Sequence, residues 1–190
     1  MAADKSDVRR WSGWRGREIE VAKEGLGRPL VLSVAGGWTS EFAVHPVKKT
    51  RHRVIHGGGI IGTTGRRPHR LVLPATFTHV TVERRMPQGS AGGFARWRLS
   101  EIPAAALTEL TDTRPCSGAG YDVLRYIGGP VSVEFRFEGD GQSGGIRYDP
   151  VSGGEQVVVD SSSYRRGTFR IPGPVLISMP DCEGWRLSVG

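Results

Sequence analysis

The sequence predicts an all-β fold: two tandem, internally duplicated β-sandwich-like units with a short helical connector. Three observations lead there. Short apolar runs with period-two alternation recur along the chain. Glycine (28 residues) and proline (12 residues) break the 190-residue chain into short segments. The word Trp-Arg-Leu-Ser is spelled twice, at 97–100 and at 185–188.

The elements follow in order. "REIEV" (17–21) opens with alternating charge and apolar character, and "RPLVLSV" (28–34) is a β-branched run that starts at a proline. "EFAVHPV" (41–47) alternates after it. "RLVLPATFTHVTVER" (70–84) supplies two more runs, clearest where Phe77, Val80 and Val82 stand among threonines. Such runs, bounded by turn residues, read as half-buried strands. In "GPVSVEFRFEGDG" (129–141), Val131, Val133, Phe135 and Phe137 fall on one face. Ser132, Glu134, Arg136 and Glu138 fall on the other, the pattern of a strand with one wet side. "EQVVVDS", "GTFRIPG", "PVLISMP" and "WRLSV" complete the second half. One stretch reads differently. "SEIPAAALTELTDTRP" (100–115) places Pro103 at a first-turn position before an alanine run and stops at Pro115, so a short helix or turn is expected there.

The repeated word sits in a repeated order. Ser12-Gly13 answers Ser117-Gly118, and "REIEV" answers "YDVLRY". Pro29 answers Pro130, Pro46-Val47 answers Pro150-Val151, and Val54-Ile55 answers Val157-Val158. Gly62-Thr63 answers Gly167-Thr168, and the Trp-Arg-Leu-Ser words close both halves. Landmarks recurring in one order point to a duplicated small β unit. The expected division is a basic first unit at 1–102, a connector at 103–116 and a mildly acidic second unit at 117–190. Trp97 and Trp185 are expected in the two cores, since a large aromatic suits the centre of a small sandwich.

"GWTSEFAV" (37–44), "SSYRRGT" (162–168) and "EGWRLSV" (183–189) carry a resemblance. The chain resembles tandem copies of a small, uncharacterised actinobacterial β-sandwich domain with a "G-x-S-x-F-x-V" segment, a "G-x-Y-x-G-T" turn and a closing "G-x-W-x-L-x-V". It departs at Ile146, which stands for Phe, and at "GIIGT" (59–63), where Ile stands for Tyr. The resemblance implies a sandwich and brings no catalytic residues.

Several chemistries are missing from the sequence. It holds no P-loop, no H-E-x-x-H and no C-x-x-C. "HGGGIIGTTG" (56–65) looks like an oxyanion or phosphate loop, and "GQSGG" (141–145) like a nucleophile elbow. An elbow needs a strand before it and a helix after it, and "GQSGG" lies between two β runs; glycine-rich hairpin loops are the expectation for both. The histidines at 45, 52, 56, 69 and 79 have no cysteine or carboxylate cluster beside them, so no metal site is assigned. Glu138, Asp140, Asp149 and Asp160 lie near turns, where oxygens converging on calcium are one alternative to ordinary turn chemistry. Cys116 and Cys182 are expected as free thiols. No enzyme activity and no cofactor are expected. With no apolar run of about 18 residues and no apolar leader, a cytoplasmic protein without a membrane span is expected.

Charge is unevenly spread. Residues 1–103 carry +10 and residues 104–190 carry −3, within a total of +7. From 48 to 70, Lys48, Lys49, Arg51, Arg53, Arg66, Arg67 and Arg70 occur without one acidic residue. If this segment is a hairpin, its two basic ends meet around a glycine tip. Trp11 and Trp14, interleaved with Arg9, Arg10, Arg15 and Arg17, form a second basic patch. These residues are the candidate binding surface. A protein partner or self-assembly is the expected use. A polyanion or nucleic acid, attracted to the basic first unit, is the alternative.

Overall fold

The computed structural model describes residues 8–21, 27–36, 41–50, 53–57, 60–61, 68–85, 96–143, 145–159, 161 and 163–190. It is nearly all β. The first half contains β1 (Arg10–Gly13), β2 (Arg17–Glu20), β3 (Leu30–Ala35), β4 (Glu41–Lys49), β5 (Val54–His56), β6 (Ile60–Ile61), β7 (His69–Leu73), β8 (His79–Arg85) and β9 (Trp97–Ile102). The second contains β10 (Thr108–Glu109), β11 (Cys116–Gly118), β12 (Asp122–Tyr126), β13 (Val131–Ser143), β14 (Arg147–Pro150), β15 (Val157–Val158), β16 (Arg166–Ile171), β17 (Val175–Met179) and β18 (Asp181–Val189).

The strands build four sheets. Two draw on the first half, in the orders β1-β9-β3-β7 and β2-β8-β4-β5, with β6 also pairing β4. Two draw on the second, in the orders β11-β18-β13-β16 and β10-β12-β17-β14-β15. Set side by side, the orders correspond strand for strand, with β6 as an addition in the first half and β10 in the second. The sheets of each half close over their own core, because alternate side chains leave a strand on opposite faces. Leu32, Val34, Leu71, Leu73, Trp97 and Leu99 meet Ile19, Phe42, Val44, Val80 and Val82 in the first. Val133, Phe135, Phe137, Phe169, Trp185 and Leu187 meet Leu124, Ile146, Val175 and Ile177 in the second.

A third, smaller apolar layer joins the halves. Val31 and Val72 lie opposite one another on β3 and β7 and point away from their own core. They pack with Val123 of β12 and Leu176 of β17, and Leu107 fills the same layer. The four sheets therefore form one stack, sandwich against sandwich. Arg70 of β7 reaches across it to Asp122 of β12, Nη1 to Oδ1 at 3.0 Å. His69 packs edge-on against Tyr121, ring centroids 5.6 Å apart.

The expected helical connector is reduced to one 3-10 turn, Ala104–Ala106. Pro103 has an extended ψ of 136°, and the chain re-enters β structure at β10, parallel to β12. The reason is where the leucines go. Leu107 enters the layer between the sandwiches, whereas Leu110 enters the second core. A helix would put residues three apart on one face, which cannot serve two separate layers. Thr108, Thr111 and Thr113 also disfavour a helix through their branched β-carbons.

Candidate functional site

The basic candidates divide among several places. Lys48 and Lys49 end β4, and the chain turns back at once into β5. Backbone N–H of Thr50 donates to the Arg53 carbonyl at 2.9 Å, and Thr50 Oγ1 accepts from the Arg53 N–H at 3.1 Å. β4 thus pairs with β5 across the Thr50–Arg53 contact, ahead of the glycine-rich stretch at which the sequence suggests the tip. A threonine that satisfies the turn by itself makes the earlier reversal possible. Lys49 pairs with Glu18, whose carboxylate also lies 4.0 Å from His79 Nε2. Lys48 is half-buried and Arg53 exposed. Arg70 is not beside them: it lies in the other sheet, engaged with Asp122. Arg51, Arg66 and Arg67 lie outside the described residues, as do the landmark Gly62-Thr63 and most of "HGGGIIGTTG".

The two tryptophans also part company. Trp11, on β1, packs against the first core, with the Arg9 guanidinium 5.8 Å from its ring centroid. Trp14 is 55% exposed. Arg9 is further tied to Glu101 at 2.8 Å. Arg10, Trp11, Ser12, Arg96, Arg98 and Ser100 line a shallow hollow on this sheet, where Arg96 donates to Ser12 Oγ at 2.8 Å.

Among the described residues, no group of three or more His, Cys, Asp or Glu is placed to hold a metal. Glu138 stands on the exposed side of β13, whereas Asp149 is buried on β14. The side chains of Asp140 and Asp160 lie outside the described residues. Asp149 accepts a hydrogen bond from Gln156 Nε2 at 2.9 Å, and its other oxygen has no hydrogen-bond partner among the described residues. Burial lifts its pKa to about 6, against the pull of Gln156 and Arg147. Cys116 and Cys182 are free and buried. Burial raises both thiols, Cys182 to about 11 with the help of the Asp181 charge, so neither is poised as a nucleophile.

One cluster escaped the sequence reading because strand register creates it. On β13, Arg136 lies opposite Arg166 of β16 and opposite Arg186 of β18. The three share an exposed row across adjacent strands. With Glu134, Glu138, Thr168 and Ser188 they line a basin of about 1130 Å³ on the outer face of the second sandwich. In sequence the arginines are scattered through the acidic half, so no charge run betrays them.

The edges form a second kind of surface. Among the described residues, β5 and β15 each end their sheet order and stand at an edge. Val54 and Ile55 on β5 are 57% and 44% exposed, and Val157 and Val158 on β15 are 40% and 64% exposed.

No protein-family model matches the chain, and no curated protein matches it. Among solved structures it is similar to a protein of Parabacteroides distasonis ATCC 8503 described as secreted, at 8% identity and a TM-score of 0.30, covering 95% of this chain and 88% of that one. It is also similar to the stem and receptor-binding domain of spike protein P1 of bacteriophage PM2, at 9% identity and a TM-score of 0.25, covering 100% and 80%. Likenesses at this level carry no functional argument.

Proposed function

We propose that the chain is a non-catalytic binding or assembly module, built from two sandwich units related by internal duplication and acting through protein–protein contacts in the cytoplasm. The duplication is supported by the matching strand orders and by one shared contact. Ser12-Gly13 pairs with Arg98-Trp97 on β9, and Ser117-Gly118 pairs with Arg186-Trp185 on β18. The observation that carries the assembly reading is the pair of apolar edges, Val54-Ile55 and Val157-Val158. An edge strand presents unpaired backbone groups, and proteins that must avoid partners blunt such edges with charge or proline. Here branched apolar side chains stand beside the open edge, which suits the addition of a partner's strand.

The test is the native mass of the full chain, measured with and without a lysine on each edge. Val54→Lys and Val158→Lys are expected to abolish a complex that the unaltered chain forms, with melting temperature unchanged. A chain that stays monomeric and without a partner, or a complex indifferent to both substitutions, removes this reading.

The polyanion reading keeps one observation in its favour: Lys48 and Arg53 flank one tight turn. It requires affinity for DNA or RNA that falls by about one log unit per phosphate contact for each log unit of salt. Replacing Lys48, Arg53, Arg66 and Arg67 with serine should flatten that slope. No binding at low salt would end it.

A further inference from the structure

The arginine row on the outer face of the second sandwich points to a ligand, independently of the edge-strand reading. Like charges directly opposite on neighbouring strands are destabilising, and here three guanidinium groups occupy one row. The remedy was close at hand. Glu134 lies one row away, opposite Thr168 and Ser188, and Glu138 lies opposite Gly184 on the other side. Neither carboxylate is set opposite an arginine. Arg136, Arg166 and Arg186 make no ion pair within 4.0 Å among the described residues.

The first sandwich lacks this row at the matching positions, on the face that turns Val31, Val72 and Arg70 toward the second sandwich. Leu99 lies opposite Val34, which lies opposite His69. Leu187 lies opposite Phe135, which lies opposite Gly167. Matching Leu99 to Leu187 therefore sets Arg98, Ala35 and Pro68 where the second sandwich has Arg186, Arg136 and Arg166. It also sets His69-Arg70, and not Gly62-Thr63, where the second half has Gly167-Thr168. Three arginines thus stand at matched positions where the first sandwich has one, in the half of the chain whose net charge is −3.

We propose that Arg136, Arg166 and Arg186 form a binding site for a tetrahedral oxyanion, a phosphate or sulfate group. The outer two strands of the row are about 10 Å apart, two strand spacings. Long arginine stems can converge from that distance, and planar guanidinium forks match such an anion through paired N–H donors. Glu134 and Glu138 bracket the row, which disfavours a long uniform polyanion crossing the face. They suit a compact anion whose neighbouring hydroxyl groups donate to carboxylates. Thr168, Ser188 and Arg165 are further polar members of the lining. The group arrives either as the free ion or as a monoester on a small hydroxylated molecule.

The experiment titrates the full chain with sodium phosphate, sodium sulfate, glucose 6-phosphate and glucose, with sodium chloride at matched ionic strength as the baseline. Thermal shift and calorimetry are the readouts. Saturable stabilisation beyond chloride is expected for the anions. Arg136→Gln, Arg166→Gln and Arg186→Gln should each weaken it about tenfold or more, the loss of one charge-assisted contact. In chloride alone each variant should melt no lower than the parent, since it relieves repulsion; this shows that the fold is intact. Arg186→Lys should bind between the two. Tighter binding of glucose 6-phosphate than of phosphate identifies an ester as the carried form, and equal binding identifies the free ion. The proposal is overturned if no anion exceeds chloride, if the three substitutions leave the effect unchanged, or if only long polyanions bind.

Discussion

At the scale of single residues, two positions decide most. The first is the glycine–tryptophan contact. A β-carbon on Gly13 or on Gly118 would sit within 3.0 Å of the indole ring of Trp97 or Trp185. Each ring then donates its Nε1–H to a backbone carbonyl two residues past the glycine, Arg15 at 2.8 Å and Gly120 at 3.3 Å. The glycine clears room for the ring and the carbonyl satisfies its polar edge. Gly118→Ala should therefore cost about 1–3 kcal/mol by overpacking, and Trp185→Ala about 3–5 kcal/mol by leaving a cavity. Urea unfolding of both variants checks this; an unchanged midpoint for Gly118→Ala would mean that the ring is not held there. The second position is Asp149, 2% exposed, with one oxygen unpartnered among the described residues. Its folded pKa of about 6 lies above the ordinary 3.8. Its favourable contribution is therefore present below pH 4, where the carboxyl is protonated in both states, and is lost as pH rises to about 6. A displacement of about two units corresponds to about 3 kcal/mol. Asp149→Asn should raise stability at pH 7 by up to about that amount and should flatten the melting temperature between pH 4 and 6. An unaltered pH profile in this variant would show that another group dominates.

At the scale of elements, the sequence was legible wherever one face of a strand is wet. Val131, Val133, Phe135 and Phe137 could be assigned to one face by alternation alone, and they line the second core or pack against it. It was less legible where both faces are covered. Val31 and Val72 read as ordinary strand residues, yet they face the other sandwich, and a run that is apolar throughout does not say what covers its second side. The connector failed as a helix because its leucines serve two layers, which no local pattern records. The arginine row was invisible for a related reason: pairing partners on β13, β16 and β18 are far apart in sequence. Register also gives β7 and β12 a shared ion pair. Asp122 Oδ1 accepts from Arg70 at 3.0 Å and from the backbone N–H of Val123 at 2.7 Å. Asp122→Ala should cost about 1–2 kcal/mol, because the backbone donor also loses its acceptor. Arg70→Ala should cost about 0–1 kcal/mol, as expected for a partly exposed pair. A double-mutant cycle on the two separates these contributions, and a coupling of zero would remove the pair from the account.

At the scale of the whole molecule, two sandwiches share one thin apolar layer and each keeps its own core. Among the described residues, Val31, Val72, Leu107, Val123 and Leu176 are the buried members of that layer, against sixteen in the second core. The halves should then be separable, since apolar stabilisation scales with the area removed from water. The landmark order in the sequence already suggested two units; it could not say that they stack through their sheet faces. The measurement that bears most directly on this account is the folding of residues 103–190 alone. Trp185 is the lone tryptophan of that segment, so its fluorescence and near-ultraviolet circular dichroism report the second core without a signal from another tryptophan. A cooperative urea transition with a buried, asymmetric Trp185 signal is expected, at a midpoint below that of the full chain. A segment with no near-ultraviolet signal and no cooperative transition would contradict it, and would mean that the two halves are one folding unit.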